Sequence, residues 1–230
     1  MINLLSVEFY KLRRQKAFYG ALVILIIFGV MQSFSGLRPI TSMDAAVYSI
    51  CDTSLVFLIT LAISVYVGND FSNRTIHNSI KLGYRRHWLV LSKMLPALGM
   101  AAVLQFAFAL ATVIPVGLRY GFSCAVPAGN MLLWWFVCLV QCCAAESFIV
   151  LIGFICRSLS VTMAAGTCFT IVTCNILRNF LESKVFLFSC FHFAEDYSYK
   201  ALLAALAAAV VVLACVICAA FALFNKAEVK

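Results

Sequence analysis

Few residues in this chain have the types and spacing that enzyme chemistry requires. His77, His87 and His192 have no second ligand at a spacing typical of a zinc site. The sequence contains no H-E-x-x-H motif, no G-x-S-x-G motif and no G-x-x-x-x-G-K-[ST] phosphate-binding loop. Cys215 and Cys218 form a C-x-x-C pair inside an apolar run, which is weak evidence for metal or redox chemistry. The sequence therefore predicts no catalytic residue, no metal site and no ATPase site in this chain.

One ionisable residue differs from the others because it lies inside an apolar run. Glu146 falls about midway along residues 131–156, and Gln141 is its nearest polar companion. An ionisable group within a membrane-spanning helix is costly and commonly marks a substrate or ion path. Glu146 and Gln141 are therefore candidates for a substrate path. An alternative stays open, in which Glu146 is a protonated carboxyl group with a structural role between helices.

Composition indicates that the elements positioning these residues lie in a membrane. Hydrophobic residues make up 64% of the 230 positions and charged residues 11%, and the mean hydropathy is +1.03. The apolar residues are clustered in runs of roughly 17–25, the length of a membrane-crossing helix. The net charge of +8 does not indicate nucleic-acid binding, because the basic residues flank apolar runs and form no groove with stacking aromatic residues. The chain is predicted to be an all-α polytopic membrane protein.

Six apolar runs define six predicted transmembrane helices. They cover residues 17–34, 53–67, 94–118, 131–156, 160–180 and 201–224. With the N-terminus inside, most of the 17 Lys and Arg residues fall on inner segments, so both termini are predicted to be cytoplasmic. The polar segments leave no room for a soluble domain, and residues 1–230 are predicted to form a single transmembrane domain.

The first 16 residues are predicted to form a helix that lies along the inner membrane interface. Leu4, Leu5, Phe9 and Leu12 are expected near one side of this helix, and Glu8 towards another. An apolar side combined with basic residues is typical of an interfacial helix that precedes a membrane span. The alternative is a flexible basic tail.

Residues 68–93 form a polar, basic segment between two apolar runs. Arg74, Lys81, Arg85, Arg86 and Lys93 lie in this segment, which places it in the cytoplasm by the positive-inside rule. Over residues 73–81, apolar residues are spaced between polar ones. This pattern predicts a short helix parallel to the membrane, whose apolar side chains dock into a groove on a partner protein. The alternative is an ordinary positively charged loop.

The same segment resembles the first cytoplasmic loop of type-2 ABC-transporter permeases. The residues that carry the resemblance are Asp70-Phe71, Arg74-Thr75-Ile76, Asn78, Gly83-Tyr84-Arg85-Arg86 and Ser92-Lys93. The sequence Glu8-Phe9-x-Lys11 also resembles the entry helix of that family. In length, and in having no extra domain, the chain is similar to bacterial permeases of lantibiotic immunity and of peptide or drug efflux.

This resemblance implies the permease subunit of an exporter in the bacterial plasma membrane. Two permeases, identical or different, would pair with separate ATP-binding cassette subunits, so that ATP binds the partner and no cofactor binds this chain directly. Residues 73–81 would be the coupling helix, and residues 181–200 a re-entrant outer segment between transmembrane helices 5 and 6. The implied coupling residues are Arg74, Ile76, His77, Asn78, Ile80 and Arg85. The implied substrate is a hydrophobic peptide, a drug or a lipid-like molecule, and membrane lipids surround the helices.

Two functions of other classes also stay open. A secondary transporter that needs no ATPase would be expected to carry more intramembrane charge than Glu146 supplies. A membrane-embedded processing enzyme would need a cluster of polar residues drawn from several spans. Transport that continues without any ATPase partner would favour the secondary transporter over the exporter.

Overall fold

The computed structural model describes residues 2–34, 53–73, 75–76, 84, 86–122, 128–173 and 199–226. Within these residues the regular structure is helical and includes no strand. The helices in chain order are α1 (Ile2–Arg14), α2 (Lys16–Phe34), α3 (Thr53–Ser72), α4 (Arg86–Tyr120), α5 (Ala128–Cys156), α6 (Leu159–Ile171) and α7 (Tyr199–Lys226).

Four of these helices contain segments that are long and apolar enough to cross a membrane. The segments are Leu55–Ser72, His87–Tyr120, Gly129–Cys156 and Leu202–Leu223. Helices α1 and α2 meet at a bend of 55° and add a fifth if the pair is one span. Helix α6 is described over 13 residues, and the predicted fifth span continues beyond the described residues. The helices support a multi-pass membrane protein, while the count of six spans and the re-entrant segment stay predictions.

Helix α1 forms where the sequence predicts it, but a different side of it faces the protein. Leu4 and Leu12 are buried, Glu8 between them is only 3% exposed, and Phe9 is 46% exposed. Residues four apart share a face of a helix, so Glu8 lies on the same side as the two leucines. The prediction that grouped Phe9 with the leucines and placed Glu8 elsewhere was therefore wrong.

The helices on both sides of the predicted cytoplasmic loop extend further than the apolar runs do. Helix α3 continues to Ser72 and α4 begins at Arg86, so much of the segment 68–93 is helical. The apolar runs end earlier because Asp70 and Lys93 interrupt them. These two residues form an ion pair with each other, and this pairing allows charged side chains to be buried in helices that continue past them.

Helix α4 lies at the centre of the helix bundle and contacts α1, α2, α3, α5 and α7. Its inward side is fully buried at Val90, Met100, Leu104 and Phe108. Helix α6 packs instead against α3 and α5. A Cβ atom at Gly68 of α3 would lie 2.8 Å from the Leu159 Cα atom, so the close approach of α3 to the start of α6 requires a glycine there.

Candidate functional site

Three helices meet at a set of charged and polar residues, most of them buried, which we call the ionic cluster: Glu8, Lys11, Tyr66, Asp70 and Lys93. The Lys93 ammonium group is at its centre and donates hydrogen bonds to Glu8 Oε2 and to Asp70 Oδ2. Glu8, Asp70 and Lys93 are 3%, 7% and 3% exposed. The cluster therefore joins α1, α3 and α4 through one buried cation and two buried carboxylates.

Lys11 and two neighbouring hydroxyl groups complete the hydrogen bonding of the two carboxylates. Lys11 Nζ lies 3.0 Å from Glu8 Oε1 and 3.4 Å from Asp70 Oδ1, and the Tyr66 hydroxyl donates to Glu8 Oε2 at 3.0 Å. The Thr75 hydroxyl donates to Asp70 Oδ1 at 2.7 Å. Each carboxylate oxygen thus accepts at least one hydrogen bond, which is the condition under which buried charges are tolerated.

The local positions of these residues follow from the helices that carry them. Asp70 lies in the last turn of α3, where the helix dipole is unfavourable for a carboxylate, and Lys93 and Lys11 offset that effect. Burial acts to lower the pKa of Lys11, but the carboxylates of Asp70 and Glu8 outweigh burial and raise this pKa above its ordinary value of 10.5. Lys11 is therefore positively charged at neutral pH and closes the solvent side of the cluster.

A second buried polar region lies between α3, α5 and α6, and we call it the Glu146 cluster: Thr60, Glu146 and Thr170. The Thr60 hydroxyl donates to Glu146 Oε1 at 3.0 Å, and it lies 3.0 Å from Thr170 Oγ1. Thr60 and Glu146 are 0% exposed. Glu146 Oε2 has no hydrogen-bond partner among the described residues, and Lys or Arg forms no ion pair with Glu146 in that part of the chain.

The structure does not join the two residues that the sequence predicts for a substrate path. Gln141 is buried, and no hydrogen bond between its side chain and Glu146 occurs in the described part of α5. Because Gln141 and Glu146 are five positions apart on one helix, their side chains point in directions that differ by roughly 140°. Gln141 Oε1 is unpaired within the described residues, as is Gln105 Oε1 of α4.

The predicted coupling residues are described only in part. Ile76 is 3% exposed and belongs to the main hydrophobic core, so its side chain contacts this chain and is not an exposed docking point. Phe71 is buried as well, with its ring centre 5.6 Å from that of Phe154. The other predicted coupling residues lie outside the described residues: Arg74, His77, Asn78, Ile80 and Arg85. Their role in coupling stays a prediction.

Sequence reasoning did not identify the ionic cluster, although a signal for it was present. Glu8 is four residues from both Leu4 and Leu12, and this spacing places an acidic residue in the middle of an apolar helix face. A cation stabilises a buried carboxylate that is ionised, and Lys93 supplies this cation from a position 85 residues later in the chain. Within the described residues, no group of three metal-binding side chains is present.

The long apolar helices define the class of the protein as a polytopic helical membrane protein. A family model described as "ABC-2 family transporter protein" matches residues 4–176. Because this match covers well over half of the chain, the protein belongs to that family. No match was found among curated proteins. The matched range contains every residue of the ionic cluster and of the Glu146 cluster.

Membership in this family identifies the chain as a permease component of an ABC transporter. Such permeases generally lack an ATPase site of their own and associate with an ATP-binding subunit. The ionic cluster therefore joins the N-terminal helix of a permease to the two helices that flank the segment predicted to meet that subunit.

Proposed function

We propose that this chain is the permease subunit of an ATP-binding-cassette exporter in the bacterial plasma membrane. It moves a hydrophobic peptide, a drug or a lipid-like molecule, using ATP that a separate subunit hydrolyses. Two permeases pair, and each has six transmembrane helices with both termini in the cytoplasm. Residues 73–81 form the coupling helix, and residues 181–200 form the re-entrant outer segment.

The observation that best supports coupling through this loop is the ion pair between Asp70 and Lys93. These residues lie on the two helices that flank the loop, and both belong to a cluster that also holds Glu8 of α1. A force on the loop is therefore transmitted to α1, α3 and α4 together. Such rigid-body movement of packed helices is how a small local displacement switches a bundle between two states.

The predicted coupling residues divide into two roles in this proposal. Ile76 is buried in the core and anchors the coupling helix to the permease. The docking contacts come from Arg74, His77, Asn78, Ile80 and Arg85. On the membrane side, Glu146 and Gln141 line the substrate path.

A co-purification experiment tests this proposal. Full-length permease is isolated from detergent-solubilised membranes of its own host, and bound proteins are identified by mass spectrometry. The test variant replaces residues 77–81 with Gly and Ser, which leaves Thr75 and Ile76 in place. The control variant makes the same replacement at residues 123–127, which are predicted to lie on the opposite side of the membrane.

We expect an ATP-binding cassette subunit to be recovered with the wild type and with the 123–127 variant, but not with the 77–81 variant. Equal recovery with both variants would contradict the docking role of residues 77–81. If the wild type is folded but recovers no ATP-binding subunit, the proposed function as an ABC exporter is contradicted. That result would favour a transporter that needs no ATPase.

A further inference from the structure

The outward face of α1 carries a combination of side chains that the ionic cluster does not use. Val7, Phe9 and Tyr10 are 50%, 46% and 56% exposed, and the exposed Arg13 and Arg14 lie beside them. Exposed cations and exposed apolar groups thus share one face of a helix whose opposite face is buried. A face of this composition suits the boundary between lipid headgroups and acyl chains.

The basic residues at the bend between α1 and α2 have no counter-charge within the described part of the chain. Arg13, Arg14 and Lys16 are exposed, and none of these three residues forms an ion pair within that part. The Arg14 guanidinium group lies 4.6 Å from the centre of the Tyr10 ring. A guanidinium group stacked in this way still has N–H donors that match the geometry of a phosphate.

The exposed surface of α2 indicates which kind of anion these cations meet. The surface continues from the bend as a row of exposed apolar side chains, including Val23, Ile24, Ile27 and Met31. The Tyr19 hydroxyl donates to the Arg13 carbonyl oxygen at 2.8 Å, and this bond joins the two parts of the surface. A soluble acidic protein would leave the apolar row uncovered, whereas a phospholipid places its phosphate at the bend and its acyl chains along α2.

We infer that Arg13 and Arg14, with Tyr10, form a binding site for the phosphate headgroup of anionic phospholipids. The site is on the side of α1 opposite Glu8, so a bound lipid fixes the helix that supplies a carboxylate to the ionic cluster. This inference requires only that the chain is a membrane protein and does not depend on the proposed export activity. Its failure is therefore distinguishable from a failure of the proposed function.

Native mass spectrometry of the purified full-length permease tests this site. Phosphatidylglycerol is titrated into micelles that contain phosphatidylcholine, and the occupancy by each lipid is measured. The test variant is Arg13→Gln/Arg14→Gln. The control is Arg119→Gln/Lys200→Gln, which removes two other exposed cations. Arg119 is a close match for Arg14 because its guanidinium group also stacks on an aromatic ring, 5.3 Å from the centre of Tyr120.

We expect the wild type and the control variant to bind phosphatidylglycerol equally and in preference to phosphatidylcholine. The Arg13→Gln/Arg14→Gln variant should bind phosphatidylglycerol roughly 30-fold more weakly, because each cation near an anionic lipid contributes about 1 kcal/mol. If the double variant is recovered poorly, Arg14→Gln alone should weaken binding roughly fivefold. The inference is overturned if the wild type shows no preference for the anionic lipid, or if the test and control variants weaken binding equally.

Discussion

The two buried carboxyl clusters differ in how the protein balances a carboxyl group that is out of contact with water. The ionic cluster pairs Glu8 and Asp70 with Lys93, and all four carboxylate oxygen atoms accept hydrogen bonds. The Glu146 cluster provides one hydroxyl donor and, within the described residues, no cation. Both clusters use α3, where Thr60 and Asp70 are about 15 Å apart along the helix axis.

This difference indicates different roles for the two clusters. Buried ion pairs require exact geometry and are costly to break, because removal of one partner leaves an uncompensated charge. They are well suited to fix the relative positions of helices. A carboxyl group held by a threonine hydroxyl makes a weaker link between helices, and an uncharged group with the same hydrogen-bonding capacity can replace it.

The largest effect is expected from the substitution Lys93→Met. It removes the buried one of the two cations that contact both Glu8 and Asp70, and the partly exposed Lys11 cannot balance two carboxylates that are nearly inaccessible to water. The free energy of unfolding should fall by about 3–5 kcal/mol, the usual cost of leaving a buried charge unpaired. Chemical unfolding in detergent micelles measures this loss. If the Lys93→Met variant unfolds at the same denaturant concentration as the wild type, the ion pairs of the ionic cluster do not stabilise the protein.

A compensated variant separates the loss of charge pairing from the loss of packing. Glu8→Gln/Asp70→Asn/Lys93→Met removes both carboxylates together with the cation. This triple variant should be more stable than Lys93→Met alone, because no unpaired charge is left in the core. If the triple variant is less stable than Lys93→Met, packing of the Lys93 side chain accounts for the loss instead.

A smaller effect is expected in the Glu146 cluster. Glu146→Leu leaves the buried Thr60 hydroxyl without its carboxyl partner, and the free energy of unfolding should fall by about 1–3 kcal/mol. Glu146→Gln keeps an oxygen acceptor and should stay within about 1 kcal/mol of the wild type. The same unfolding measurement compares the two variants. Equal destabilisation by Gln and Leu would show that the cluster requires a carboxyl group.

The Glu146→Gln variant also tests the proposed substrate path, because its stability should be close to that of the wild type. Transport is measured in cells that produce equal amounts of wild-type and variant permease. A loss of transport in a folded Gln variant would indicate that the carboxyl group acts on the substrate. Unchanged transport would indicate that Glu146 has only a structural role, through its hydrogen bond with Thr60.

The sequence predicts the helices better than it predicts the contacts between them. The apolar run at 131–156 closely matches α5 at Ala128–Cys156, because burial in a membrane requires long apolar helices. The loop motif that includes Asp70 and Lys93 led to the permease family, which the match over residues 4–176 confirms. Local hydropathy alone, however, placed both residues in the loop.

The ionic cluster was missed because its partners are brought together only by packing. Glu8 meets Lys93 across α1 and α4, and no pattern within either segment specifies this long-range contact. The same limit applies to Glu146, whose partner Thr60 lies 86 residues earlier in the chain. Periodicity predicts on which face of its own helix a residue lies. Which neighbouring helix packs against that face depends on the arrangement of the whole bundle.

The smallest effect is expected from Lys11→Gln. This substitution tests whether the exposure of a cation determines how much it contributes to the free energy of unfolding. Lys11 contacts the same two carboxylates as Lys93, but 37% of its side chain is exposed, against 4% for Lys93. Water and salt screen such a pair, so the free energy of unfolding should fall by less than about 1 kcal/mol. Unfolding of wild type and variant at about pH 6 and about pH 9 measures the difference.

The sign of the pH dependence follows from the raised pKa of Lys11. A lysine whose pKa is raised by folding contributes its full stabilisation below the unfolded-state pKa of 10.5, and this is lost only as the pH rises through the higher folded-state value. The difference between wild type and Lys11→Gln should thus be the same at about pH 6 and about pH 9. A loss as large as that of Lys93→Met would show that Lys11, and not Lys93 alone, compensates the two carboxylates. A small, constant loss would make Lys93 the principal counter-charge that joins α1 to α3 and α4.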